Sequence, residues 1–558
     1  MMLPPARESP DRSIRKDVIL KGFDRRLKTA NGSLSAVSGI SQIELPVLMN
    51  ERPFIEWIEG TREDNKFVIY NGFGLFQKLG AMFHCDNLSY VSGENKITFT
   101  TNTITTTTTD GFKRFQANDE VTITGCTVNP GNNKSAVVVE ATDEVLTFEA
   151  DTFTAGAETA AITFSAYSFR ANSVACGPLA DDEEKSIVEL NNVICIFPDR
   201  CYFNITTSTY GVQIGELCPD IVFACTHKNR IFGVDQSLDC GVYASKLGDY
   251  SQWADFSGDN DDSYSTNIYE GGYFSGITEF QDKVILFKAN MMFELTTGAY
   301  NTPSEFYIRK IANIGCVSHK SIVEIDGVLY FMGAEYIYAY TGGTPVPISR
   351  PLGNLKTLLS NGYDCYSGVA GTDGIRYFIC FNGANEYSDS ALYTYCPDNK
   401  QWSRTPTTYR VNQFVYTDDS FYYQRLLGLT NTGIASADFN KVYVYSSDDS
   451  YTSDQGDTVA WSFSLRIEDE EYIGKKIMEE IEIRSYAKNT VTVTYTPDSG
   501  TAVSLGTYST ASSSVAKGEI KQFNVKAQRL STYTLNFSGT GRFALYGVQR
   551  KIILGSAN

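Results

Sequence analysis

The sequence predicts an all-β chain: a β-propeller interrupted by an inserted small β-domain and followed by a C-terminal β-sandwich. Three observations predict it. The composition is that of strands and turns, with 35 Tyr, 33 Phe and 45 Gly against 4 Trp. A turn–strand–turn–strand unit recurs along the chain. Helical periodicity is almost absent, and its best candidate is the short stretch 352–359. At 558 residues with 42% hydrophobic and 20% charged residues, the chain has the material for roughly two to four folded domains.

Taken in order, residues 1–45 are polar, with basic residues up to Lys28. They read as an N-terminal arm that orders by lying on a neighbour. Residues 46–94 begin the propeller. The first copy of the repeating unit opens at Asn65 and the second at Asn192. The third opens at Asn229 and continues over 241–245. The fourth opens at Asp282 and the fifth at Asp326. The sixth opens at Asp373 and continues over 391–396; a seventh, weaker copy runs from 425–429 to 441–445. One two-stranded hairpin cannot bury both faces, so repetition every ~40–50 residues implies blades around an axis. The gap between the first two copies is far longer than the others, which places an inserted domain at 95–168. Within it, segments such as Val121-Thr122-Ile123-Thr124 alternate apolar and polar residues, as a small barrel or sandwich requires. The propeller resumes over 169–455. After a polar break, 456–558 alternate again as an antiparallel β-sandwich, with strands near 460–466, 481–485, 491–495, 523–525, 533–537 and 543–545.

The formal net charge of −18 argues against a protein that grips nucleic acid by neutralising phosphates. It suits solubility, or a surface along which DNA slides without sticking. The 12 Cys are scattered without a CxxC, several inside apolar runs, and read as small buried hydrophobes of a chain that folds in a reducing cytosol. The N-terminus lacks the apolar core of a signal peptide, and no apolar run is long enough to span a membrane.

No residue is assigned a catalytic, cofactor-binding or metal role. His84, His227 and His319 are isolated, whereas triads and zinc sites need converging partners. The loop 257–263, with Asp259, Asp261 and Asp262, offers the hard oxygens that Ca²⁺ takes but lacks the terminal Glu of a twelve-residue calcium loop; it reads as solvated. The acidic run 181–184 reads the same way. Residues 452–458 approach the Asp-box turn of sialidase-like propellers, with Thr452 and Val459 off the pattern, and occur once. Tyr336, Tyr338 and Tyr340 fit either an interface on a blade edge or blade packing.

Several segments resemble a family of tailed-bacteriophage virion proteins, the tail hub or nozzle proteins of short-tailed phages. One is Asn31-Gly32-Ser33-Leu34-Ser35 followed by Leu45-Pro46-Val47-Leu48 and Arg52-Pro53. A second is Arg230-Ile231-Phe232-Gly233-Val234, then Val242-Tyr243-Ala244-Ser245-Lys246-Leu247-Gly248-Asp249 and Trp253. A third is Gly315-Cys316 through Ser321-Ile322-Val323 to Tyr330-Phe331. Asp110-Gly111-Phe112 with Val121–Gly125 is similar to a small β-domain common in phage tail proteins. The pieces stand in matching order over residues 30–331. The resemblance implies a structural, non-enzymatic virion subunit forming a homo-oligomeric ring, commonly a hexamer. Its neighbours would be a tail adaptor or tube and fibre or spike proteins, with DNA passing through the lumen without specific binding. It implies assembly in the host cytoplasm and residence in the phage tail. Two other functions fit the residues: a β-propeller glycan-binding or hydrolytic host-adhesion protein, and a lectin-like adhesin with paired cysteines.

Overall fold

The computed structural model describes residues 13–17, 37–38, 47–48, 54–58, 72–78, 81–171, 174–181, 184–215, 217–356, 363–383, 391–398, 400–406, 411–417, 425–429, 442–446, 453–454, 457–458, 460–467, 476–497, 500–510, 519–525, 529–530, 533–541 and 543–554.

Seven four-stranded antiparallel units form the blades of a propeller, named here I to VII with strands a to d. Blade I is Gly72–Lys78, Ala81–Val91, Thr163–Ala171 and Val174–Pro178. Blade II is Ser186–Leu190, Val193–Phe197, Cys201–Asn204 and Thr209–Gly211. Blade III is Phe223–His227, Arg230–Val234, Gly241–Ala244 and Tyr264–Asn267. Blade IV is Phe274–Phe280, Lys283–Lys288, Met291–Thr296 and Tyr307–Ala312. Blade V is Val323–Ile325, Val328–Met332, Ile337–Tyr340 and Val346–Pro347. Blade VI is Tyr363–Thr372, Tyr377–Gly383, Ala391–Cys396 and Gln401–Pro406. Blade VII takes Gln413–Thr417, Arg425–Leu429 and Val442–Ser446 from late in the chain, and its strand d, Phe54–Ile58, from near the start. That exchange closes the ring, with strand a of blade VII against strand a of blade I.

The recurring Asn or Asp has a geometric cause. In blades II to V the a–b hairpin turns on two residues that both have positive φ: Asn191 and Asn192, Lys228 and Asn229, Gln281 and Asp282, Asp326 and Gly327. A two-residue type I′ turn requires that, and Asn, Asp and Gly adopt it most readily. Between blades, shared apolar cores do the joining. Phe83 and Phe169 of blade I meet Ile194, Ile196 and Phe203 of blade II. Val193, Cys195 and Phe197 meet Ile231 of blade III across Trp253. Val369 and Phe378 of blade VI meet Phe414 and Leu426 of blade VII.

The inserted domain sits in the b–c hairpin of blade I. The two long strands of that hairpin run out of the blade and into the insert, where Glu120–Thr124 and Ser135–Val137 extend their sheet. A second, five-stranded sheet faces it, built from Ile97–Phe99, Thr103–Thr106, Glu140–Ala141, Val145–Thr147 and Gly156–Glu158. The insert has its own core around Ile104, Phe112, Ile123, Leu146 and Phe164. Cys85 and Phe169 belong to the blade core, Leu88 and Ala166 to the insert core. The N-side boundary therefore falls near 86–87, earlier than 95, because one continuous strand serves both cores.

The C-terminal sandwich packs Ala460–Ile467, Tyr533–Thr540, Val491–Pro497 and Val503–Tyr508 against a sheet of Lys476–Ala487, Phe543–Leu554, Glu519–Asn524 and Arg529–Leu530. The N-terminal region corrects the sequence reading of an arm that orders on a neighbour. Ser13–Asp17 and Val47–Leu48 both pair with Phe543–Leu554 of the same chain. Val37–Ser38 lies between strand d of blade VI, to which it is parallel, and Ala460–Ile467, to which it is antiparallel. It merges blade VI and the sandwich into one nine-stranded sheet. Residue 47, expected to begin the propeller, belongs to the sandwich instead. Of the expected helix at 352–359, the structure describes a 3₁₀ turn at Arg350–Leu352 and a helical start at residues 355–356; 357–359 lie outside the described residues.

Candidate functional site

The innermost strands of blades II to VII surround one axial cavity of about 560 Å³. Strand a of each blade presents alternate side chains to this space because strand residues alternate sides. The polar groups there are mostly engaged by the fold. Lys185 is fully buried and held between Asp181 Oδ1 at 2.8 Å and Asp199 Oδ2 at 2.7 Å. Burial alone would lower its pKa; the two carboxylates outweigh that and hold it above its ordinary value. Ser186 Oγ donates to Ala224 O and accepts from Ala224 N, tying blade II to blade III. His319 lies with its ring centroid 4.6 Å from that of Phe223, and burial lowers its pKa, which favours the neutral ring. Exposed Glu184 and Glu324 stand on blades II and V.

The other two histidines join structural networks. His84 Nδ1 lies 3.1 Å from Asp86 Oδ1, Asp86 Oδ2 lies 3.2 Å from Arg170 Nε, and Arg170 Nη2 donates to Asp119 Oδ2 at 2.9 Å. All four side chains are buried where blade I passes into the insert, so this chain of polar contacts ties the insert to its blade. Burial raises the Asp119 pKa, against the lowering effect of Arg170. His227 ends strand a of blade III, with Nε2 3.2 Å from Thr297 Oγ1 and Nδ1 3.7 Å from Glu279 Oε1 of blade IV. Burial, then Lys228, lowers its pKa. Neighbouring turns on that face are stitched in series. Asn191 donates to Gly248 O, Lys228 to Asp282 and Gly298 O, and Gln281 to Gly327 O.

The acidic loop 257–263 connects strands c and d of blade III. Its three carboxylates approach one another, as a metal site would need. Two cations already organise it. Lys246 Nζ bonds Asp255 at 2.7 Å and lies 3.4 Å from Asp261. Beneath the loop, fully buried Arg230 donates to the carbonyls of Ser245, Asp262, Asn260 and Asn301. Burial brings its pKa down to about 10. Asp262 spends its carboxylate on Ser257 Oγ and the Gly258 and Asp259 amides. Arg230, read from sequence only as part of a blade motif, is thus the pin of this loop. A charged residue opening a fully buried strand was the sequence signal for it.

Tyr338 and Tyr340 are 8% and 1% exposed, which decides for blade packing over an interface: Tyr340 packs on Phe280 of blade IV and Tyr338 stacks on Phe331 of its own blade V. Ser453–Asp454 and Asp457–Thr458 form a two-stranded hairpin, and the remainder of 452–459 lies outside the described residues. The eleven cysteines whose side chains are described are free thiols, nine of them buried.

No family model matches the chain, and no curated protein matches it. Similar solved structures include the N-terminal domain of Nup159, at 11% identity over 49% of this chain and 81% of that one, with a TM-score of 0.31. The RRP9 WD40 repeats match at 7% identity over 72% and 99%, TM-score 0.32. An exo-β-1,3-galactanase from Phanerochaete chrysosporium matches at 9% identity over 66% and 95%, TM-score 0.22. At such scores none of them bears on what this chain does. The propeller stands on its own strand order and closure.

Proposed function

We propose that this chain is a structural subunit of a tailed-phage virion, building a ring-shaped tail nozzle or hub with copies of itself. One observation carries the reading. The segments that resemble the phage family hold residues on which blade geometry turns. Arg230 pins the blade III loop, and Trp253, 3% exposed, fills the space between blades II and III with Nε1 donating to Tyr250 O. Gly315 passes so close to blade IV that an added Cβ would lie 1.8 Å from Lys288 O. The resemblance is therefore one of scaffold rather than of a reacting site.

The axial cavity of about 560 Å³ is of small-ligand size and cannot pass a duplex. DNA would run through a lumen between subunits, where a net charge of −18 disfavours sticking. The same cavity favours one second reading, a glycan-binding propeller. Native mass measurement of the purified chain, with peptide mapping of purified virions, tests the first. A closed ring present in particles is the expected result. A strict monomer absent from particles, or one that binds or cleaves glycans, overturns it.

A further inference from the structure

Lys185 stands immediately before strand a of blade II, and its side chain is 0% exposed. Asp199 stands in the turn between strands b and c of the same blade, with its side chain 5% exposed. Ser186 pairs with Phe197 across the a–b hairpin, so Lys185 and Asp199 flank the open end of that hairpin. Lys185 Nζ lies 2.7 Å from Asp199 Oδ2 and 2.8 Å from Asp181 Oδ1, and the Asp181 side chain is 43% exposed. Close by in sequence, Leu179, Ile187 and Cys201 belong to the apolar core shared by blades I and II. An amine is thus shut away from water against one buried carboxylate, with a second, wetter carboxylate on its other side.

The two oxygens of Asp199 are held differently. Oδ1 accepts from Ala180 N at 2.6 Å, whereas Oδ2 faces the amine. A backbone N–H on Oδ1 draws electron density from Cγ and would hold the negative charge that develops on that oxygen when a nucleophile adds. Cγ is one bond beyond Oδ2, so the fold keeps Nζ within reach of it. The ion pair is the resting form of this site. Burial narrows the gap to the neutral pair, in which the ammonium has passed a proton to Oδ2, because a neutral amine and a neutral acid lose little on leaving water. Asp181, being wetter, stays ionised and is free to carry a proton.

We propose that Lys185 and Asp199 are a self-modification site, joined by an isopeptide bond once the chain has folded. The ammonium first passes a proton to Asp199 Oδ2. Nζ then adds to Cγ, and the charge that develops on Oδ1 rests on the Ala180 N–H. Asp181 takes the proton that Nζ sheds and returns it to the departing hydroxyl. The Cγ–Oδ2 bond breaks as the Nζ–Cγ amide is completed, and Oδ2 leaves as one water. Nothing is oxidised or reduced, and no co-reactant enters. The product amide keeps Oδ1 as its carbonyl oxygen on Ala180 N. A covalent bond then closes the open end of the a–b hairpin, so its strands cannot separate there. This inference does not rest on the virion reading.

The test is mass spectrometry of the purified full chain, denatured, reduced and digested with a protease that cleaves after glutamate. Cleavage after Glu184 and Glu189 separates Lys185 from Asp199 along the chain. The expected product is one species in which the two peptides stay joined, with their summed mass less one water, and the intact chain is lighter by the same water. The joined species is absent from Lys185→Arg and Asp199→Ala, and Asp181→Asn, which keeps both bonded residues, accumulates less of it. The wild-type digest decides the matter even where a variant fails to fold. Two separate peptides at their full masses overturn the proposal, and so does a water lost from the Asp199 peptide alone, which is a succinimide.

Discussion

Arg230 and Glu158 settle buried charge in mirror fashion, each with backbone dipoles in place of an opposite charge. Arg230 spends its donors on four carbonyls. Glu158, 1% exposed in the insert, accepts from the amides of Thr127, Val128 and Asn129 at 2.9–3.0 Å. Burial alone would raise its pKa; the three amides outweigh that and hold the carboxyl below its ordinary value. A carboxyl depressed in the folded state contributes stability above its unfolded pKa, about 4.3, and loses it as pH falls through the folded value. Hydrogen-exchange protection of the 127–129 amides should therefore fall as the protein is acidified below about pH 4. Glu158→Gln should lose about 2 kcal/mol of local stability at neutral pH and flatten that dependence. Protection unchanged by the substitution would contradict this account.

Elements were legible in proportion to how deeply they are buried. The sequence copies from the second onward fall on strands b and c. Every residue of Val193–Phe197 and of Arg230–Val234 is buried, so such strands read as continuous apolar runs. Strand d of blade IV, Tyr307–Ala312, has no fully buried residue, and Arg309 and Lys310 interrupt its apolar residues, so it gives no continuous apolar run. Of the Asn and Asp residues that opened the copies, Asn192, Asn229, Asp282 and Asp326 are left-handed turn positions. Asn192→Val, at φ of 63°, should cost about 2 kcal/mol, read from the urea unfolding midpoint, whereas Asn192→Gly should be close to neutral. Equal midpoints for the Val and Gly variants would refute the turn argument. Of the candidate site, the sequence marked the acidic loop and the isolated histidines, because composition alone exposes them. It could not show that Lys185, Lys246 and Arg230 neutralise or pin what surrounds them, since those partners meet only across blades or loops.

At the scale of the molecule, the chain is held by its beginning. Phe54–Ile58 closes blade VII, and three earlier strands pair with the sandwich or bridge it to blade VI. A chain lacking residues 1–58 leaves Val442–Ser446 without its partner and the nine-stranded sheet broken. Calorimetry should then show melting that begins earlier and is broader than that of the full chain; an unchanged profile would mean that closure contributes little. The sequence by itself determined the all-β class, the propeller repeat, the insert and the terminal sandwich, because each leaves a local pattern of apolar runs, alternation and turn residues. Only the tertiary structure decided how the ring closes, where the arm lies, and which charges meet. Two-residue strands carry no pattern, and pairings between opposite ends of a chain depend on packing that no local window contains.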